Sequence, residues 1–279
     1  MTARLHNRTR QSASIPRALL RRGRVLEIPL YYTLRLSDLA REGIERSGSH
    51  RFADHIYRSE PSGRGAIGRW IDARLLAMAA VRSFRSRYLA ARDEIARFVL
   101  GRLQQPGDEP IRVVSVPCGI PRELADAADE IRRRSGALPD RVEFHGIDLD
   151  PEVLAEAAAF ARARGLSGFR AHHGDALTRG SYPDAAACIT CTGLAEFLDD
   201  GDLARLYAIC FDVLEPGGLL ITSGMQRRRL SDYLLRLAEI RTHYRGPDDL
   251  ARLARLLPFR DVRVRRDSVG LQTILTATR

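Results

Sequence analysis

Three short runs hold side chains whose types and spacing suit ligand chemistry. They are Ile111-Arg-Val-Val-Ser-Val-Pro-Cys-Gly-Ile-Pro-Arg122, Gly146-Ile-Asp-Leu-Asp150 and Gly174-Asp175. Gly119 lets the backbone approach a ligand closely. A helix starting just after it offers free N–H groups and a partial positive charge. Asp148 falls 29 residues after Gly119. A carboxylate there can accept both hydroxyl protons of a ribose, as dinucleotide folds arrange with an acid at a similar place. Asp175, one β-α unit later, can accept the amino hydrogens of an adenine. Either aspartate alone reads equally as a solvated turn residue. Two of them after one glycine turn favour a nucleoside-containing ligand.

Further candidates are scattered along the chain. The run Cys191-Thr-Gly-Leu-Ala-Glu196 ends a fourth strand, so Glu196 is a candidate substrate contact or base; the alternative is a helix-start carboxylate facing solvent. His172 and His173 end the third strand, with one expected to face the cleft and His173 a candidate base. Tyr32 and Arg64 lie in the front section and are candidates to close over the site. Cys191 lacks the Pro-Cys pair of a cytosine C5 nucleophile and reads as structural. Cys188 and Cys191, three apart on one strand, should point to opposite faces. No ligand set for a metal is apparent.

These residues need strands to position them. From Ile111 onward, strand-like and helix-like runs alternate: 111–116, 122–134, 141–147, 151–164, 168–173, 185–191, 202–214, 218–223, 230–242 and 248–257. A hairpin over 262–266 and 271–277 closes the chain. Alternation of this kind implies a parallel, doubly wound sheet, and the hairpin makes its C-terminal strand antiparallel. The expected fold is therefore α/β and Rossmann-like, with seven strands. In such sheets ligands bind beyond the carboxyl ends of the strands, where strand order reverses.

Ahead of the linker Gln104–Pro110 the pattern is helical. Residues 1–14 read as a flexible basic arm, 15–105 as a helical cap and 106–279 as the sheet domain. Within the cap, 17–24 and 30–46 have helical spacing. Pro61–Gly68 reads as a loop, since it holds one proline and three glycines. Residues 69–103 read as one long helical pattern, with Trp70 in its apolar stripe.

All 45 basic residues are arginine, and the net charge is +10. Residues 1–105 hold 21 arginines against 9 acids, so the surplus belongs to the front third. This fits a polyanion-binding surface or simply solvated helical faces. No apolar run reaches the roughly 20 residues of a membrane span. The four cysteines show no disulfide spacing, which points to a reducing cytoplasm.

On the Cys118-Gly119 turn, Gly146-Ile-Asp148, Gly174-Asp175-Ala176 and Leu214-Glu-Pro-Gly-Gly-Leu219, residues 111–279 resemble the class I S-adenosylmethionine-dependent methyltransferases. The Ser-Gly-Arg-Gly loop and the Cys-Gly-Ile-Pro-Arg turn are also similar to a bacterial methyltransferase group, some of them fused to α/β-hydrolases. The resemblance implies S-adenosylmethionine as cofactor. It implies Asp148, with Leu149, at the ribose and Asp175, between Gly174 and Ala176, at the adenine. Ser115, Pro117, Cys118, Gly119 and Arg122 would meet the amino-acid end, with Thr192, Gly193 and Arg64 nearby. Ser115 stands where the family carries an acid that helps hold the cofactor's ammonium, and Pro117 and Pro121 replace glycines. A nicotinamide enzyme is disfavoured because G-x-G-x-x-G is absent. An Asn/Asp-Pro-Pro-Tyr base-methylation motif is also missing. The expected acceptor is a small or lipid-like molecule; the alternatives are RNA docked on the basic front, or a non-catalytic cofactor-binding module.

Overall fold

The structure, a computed structural model, describes residues 14–21, 23–45, 49–166, 168–227 and 242–279. The chain divides into two compact units, Met1–Arg82 with Arg229–Arg241, and Ser83–Arg228 with Thr242–Arg279. The basic arm up to residue 13 and nearly all of the expected 230–242 helix lie outside the described residues.

In the front unit, α1 (Ser14–Arg21), α2 (Glu27–Leu34), α3 (Asp38–Glu45), α4 (His50–Arg58) and α5 (Gly65–Leu76) follow one another, and α6 (Ala79–Leu103) leads out of it. The single 30–46 run is two helices. Ser37 breaks it, because its Oγ accepts the Ala40 N–H at 2.9 Å and so starts α3. The 69–103 run is likewise two helices, parted at Ala77–Met78. The glycine-rich stretch is not wholly a loop, since α5 begins at Gly65. A Cβ on Gly63 or Gly68 would meet the Leu36 carbonyl. Those glycines serve close packing rather than flexibility. Trp70 is 60% exposed, not part of the apolar stripe; the Arg74 guanidinium lies 5.4 Å from its ring centroid. Helix α4 was not expected from the sequence; Ser49 caps it by accepting the Phe52 N–H at 3.1 Å.

The second unit is built on β1 (Ile111–Ser115), β2 (Val142–Asp148), β3 (Arg170–His173), β4 (Ala186–Cys191), β5 (Leu214–Met225), β6 (Arg260–Arg266) and β7 (Gln272–Thr278). They form one sheet in the order β3-β2-β1-β4-β5-β7-β6. The first five are parallel, whereas β7 runs antiparallel to β5 and β6 antiparallel to β7. Four helices of this unit follow strands: α7 (Arg122–Ser135), α8 (Pro151–Ala163), α9 (Asp200–Val213) and α10 (Pro247–Ala254). This is the seven-stranded, doubly wound fold that the alternation implied.

Side chains alternate across the sheet with period two. Val113 and Cys188 join the cluster that holds Ala91, Ile95 and Val99 of α6 with Leu124 and Ile131 of α7. Val114 and Cys191 join the opposite cluster, with Leu203, Leu206 and Tyr207 of α9 and Leu250 of α10. Each such buried branched side chain contributes about 1.5–3 kcal/mol. Most of α6 therefore packs on the sheet, although the sequence grouped it with the front helices. The Pro-Gly-Gly segment sits inside β5 rather than before it. Leu214 pairs with Ala186 and Leu219 with Cys188, so residues 215–218 bulge out between two paired positions.

Candidate functional site

Strand order reverses between β1 and β4, so their carboxyl ends frame the crevice expected of open α/β sheets. The β1 turn is tied to both neighbours. Val116 N–H donates to the Thr190 carbonyl at 2.9 Å, and Cys118 N–H to Ile147 at 2.9 Å. Gly119, at φ +49°, donates its N–H to Asp148 Oδ2 at 3.1 Å. Asp148 Oδ1 accepts the Asp150 N–H at 3.2 Å. The glycine turn and the acid that ends β2 are thus one connected unit. A Cβ at Gly146 would lie 2.6 Å from the Phe169 ring and 2.9 Å from Cys118 Sγ, so glycine is needed beneath the turn.

The β3 end joins the same rim. Gly174 N–H donates to the Asp148 carbonyl at 3.0 Å. Asp175 follows, and its Oδ1 accepts the Leu177 N–H at 2.9 Å. Ala176 is buried, and its carbonyl accepts from the Tyr182 hydroxyl at 2.8 Å. Leu149 is 53% exposed. His173 is exposed, with Nε2 3.1 Å from the Leu149 carbonyl. His172 packs inward instead, its Nε2 2.9 Å from Nδ1 of buried His145. Gly119, Asp148, Leu149, Gly174 and Asp175 are therefore together, and His173 belongs to this edge. Glu196 follows β4, with β2 and β1 in between.

At the β4 end, Gly193 (φ +87°) donates its N–H to Ser223 Oγ at 3.1 Å. Thr192, just before it, is half-buried. Glu196 is not a solvent-facing helix-start acid. It is buried, and its Oε1 accepts from Arg87 Nη1 at 2.8 Å. Its Oε2 is buried without a hydrogen-bond partner among the described residues. The segment is held by buried Arg245, which donates to the Ala195 carbonyl at 2.5 Å, to Leu198 at 2.8 Å and to Asp200.

Ser115, where an acid was expected, is buried and donates its hydroxyl to Glu123 Oε1 at 2.6 Å. Burial raises the Glu123 carboxyl to about 7 against the Ser115 hydrogen bond. Arg122 turns to the helix layer, its guanidinium 4.9 Å from the Phe160 ring centroid. Pro117 is exposed and Cys118 buried. Burial pushes the Cys118, Cys188 and Cys191 thiols up, which suits packing rather than nucleophilic roles. Tyr32 and Arg64 belong to the front unit. Tyr32 is exposed against Tyr31, ring centroids 5.3 Å apart, and the Arg64 N–H donates to Leu36 at 2.7 Å. Among the described residues no cluster of three or more His, Cys, Asp or Glu is placed to hold a metal ion.

The sequence reading missed Arg87, Glu123 and Arg245. For Glu123 a signal existed: an acid in the helix turn directly after a first strand that lacks one.

Strand order and rim together define a Rossmann-like methyltransferase fold. The chain belongs to the family described as "Putative methyltransferase", which matches residues 32–230. No curated protein matches the sequence. Among solved structures it is similar to a possible exported protein from Bordetella parapertussis, at 23% identity and TM-score 0.78, covering 100% of this chain and 99% of that one. It is also similar to the S-adenosylmethionine-dependent methyltransferase SibL, at 15% identity and TM-score 0.55, covering 94% and 76% of the two chains. A third likeness is magnesium protoporphyrin IX methyltransferase from Synechocystis PCC 6803 with bound SAH, at 13% identity and TM-score 0.54, covering 81% and 93%. At these identities the likeness is one of fold. No helix among the described residues is long and apolar enough to cross a membrane.

Proposed function

We propose that this chain transfers a methyl group from S-adenosylmethionine to a small or lipid-like acceptor at the carboxyl ends of β1 and β4. The observation that carries the reading is the hydrogen bond from Gly119 N–H to Asp148 Oδ2. It fixes a carboxylate on the rim beside a close-approach turn. A carboxylate accepts up to about four hydrogen bonds, which suits the paired hydroxyls of a ribose. Asp175, one residue past the rung that joins Gly174 to Asp148, takes the adenine end, with Leu149 and Ala176 beside the ring.

When bound, the cofactor supplies a methyl group already activated on a sulfonium. What is left to the protein is to position the acceptor and exclude water. Glu196 is the polar contact at that end: Arg87 holds one oxygen, and the buried Oε2 takes a hydrogen-bond donor from the acceptor. His173 stays with the nucleoside edge. The acceptor is a small or lipid-like molecule rather than RNA. Pairing of Arg24, Arg35, Arg41 and Arg58 with acids of their own unit favours this over an RNA-docking surface. Four free, buried thiols suit a reducing, cytoplasmic compartment.

The test is calorimetric titration of the full chain with S-adenosylhomocysteine. Asp148→Ala should lose about tenfold or more in affinity, and unchanged affinity overturns the reading. Nucleic-acid binding that weakens steeply with salt would replace the small-molecule acceptor by RNA.

A further inference from the structure

We infer that Glu123, in the first turn of α7, is the carboxylate that receives the ammonium of the cofactor's amino-acid portion, a place the sequence assigned to the end of β1. The inference rests on the cofactor reading above and adds a residue to it. An acid in the first turn of a helix is ordinarily a surface residue facing the dipole. Glu123 instead turns inward, 8% exposed, and takes the Ser115 hydroxyl at 2.6 Å. Ser115 ends β1, the strand at the switch point. A buried carboxylate needs hydrogen bonds and a cation to stay charged. Arg87 of α6 is near enough to draw the carboxyl down, while its Nη1 donates to Glu196. A small cation arriving at the β1 turn fits this position. The short serine of the strand meets the longer acid of the helix, eight residues further along the chain.

The experiment titrates wild type, Glu123→Gln and the double variant Glu123→Gln with Ser115→Asp. Two ligands are used: S-adenosylhomocysteine, and 5′-methylthioadenosine, which lacks the amino-acid portion. Circular dichroism checks that each variant is folded. Glu123→Gln should weaken S-adenosylhomocysteine by about tenfold or more and leave methylthioadenosine within about twofold. Return of an acid at position 115 should recover part of the lost affinity. Equal loss for both ligands, or no loss for either, overturns the inference. Failure of wild type to bind S-adenosylhomocysteine sinks the cofactor reading itself, and this inference with it.

Discussion

Arg87 and Glu196 are 109 residues apart in the chain and meet as a buried ion pair, Nη1 2.8 Å from Oε1. Each side chain is only 6% exposed. The guanidinium also lies 3.6 Å from the Phe84 ring centroid. One pair thus joins α6 to the segment after β4, on which the acceptor end of the proposed site depends.

Removing the cation alone should be strongly destabilising. Arg87→Met leaves a carboxylate buried without its partner, which typically costs about 3–5 kcal/mol. The double variant Arg87→Met with Glu196→Leu removes both charges and should recover most of that loss. Denaturant titration of the three proteins checks this. Equal midpoints for wild type and the single variant would show that the pair contributes nothing to stability.

Gly193 should be hard to replace, for two reasons that act together. Its φ of +87° strains any L side chain. An added Cβ would also lie 2.6 Å from Arg87 Nη2. Gly193→Ala is expected to lower stability by about 1–3 kcal/mol. In the Arg87→Met background the steric part should shrink, because the flexible methionine can give way. A double-mutant cycle by denaturation reads the coupling.

The rim was legible in the sequence because local signals mark it. Gly119, Asp148 and Asp175 each follow a strand-like run, and runs alternating with helical periodicity order the strands. The Arg87–Glu196 end was not legible in the same way. Arg87, Glu196 and Arg245 come from α6, from the turn after β4 and from the chain after β5, and no period connects such distant positions. Glu196 was visible as an acid near a strand end, but its burial depends on Arg87. The front unit misled for another reason: Gly63 and Gly68 look like loop residues, yet their missing side chains let α5 approach the Leu36 carbonyl.

Asp72 should govern the stability of the front unit. It is fully buried, and it accepts from the Ser37 hydroxyl, from the Leu39 N–H at 3.3 Å and from the Ser62 N–H at 2.9 Å. Three donors from two chain segments converge on one carboxylate. Asp72→Ala leaves those donors without it, at about 1–3 kcal/mol for each one that stays dry. Limited proteolysis should then cut residues 23–82 faster than wild type and spare the sheet unit. An unchanged cleavage pattern would mean that the segments are held by other contacts.

Glu123 sets a pH dependence whose sign follows from its environment. Burial raises its carboxyl from the ordinary 4.5 to about 7, opposed by the Ser115 hydrogen bond and by Arg87 from α6, and assisted by Asp126 of its own helix. A raised acid prefers its neutral form in the folded state. Its contribution is therefore fully present below pH 4.5 and is lost as pH rises toward about 7. His145 gives the opposite slope: burial, with His172 beside it, lowers its imidazole to about 4. The His145 contribution is present above its ordinary 6.5 and lost as pH falls toward 4. The two windows overlap, so wild type alone can show a nearly flat profile. The difference between wild type and Glu123→Gln isolates the glutamate. That difference should fall with rising pH by on the order of 3 kcal/mol between pH 4.5 and 7 and level off above. Denaturation midpoints at pH 4.5, 5.5, 6.5 and 7.5 would show it, and a difference constant across the series would mean that Glu123 ionises as a solvated acid does.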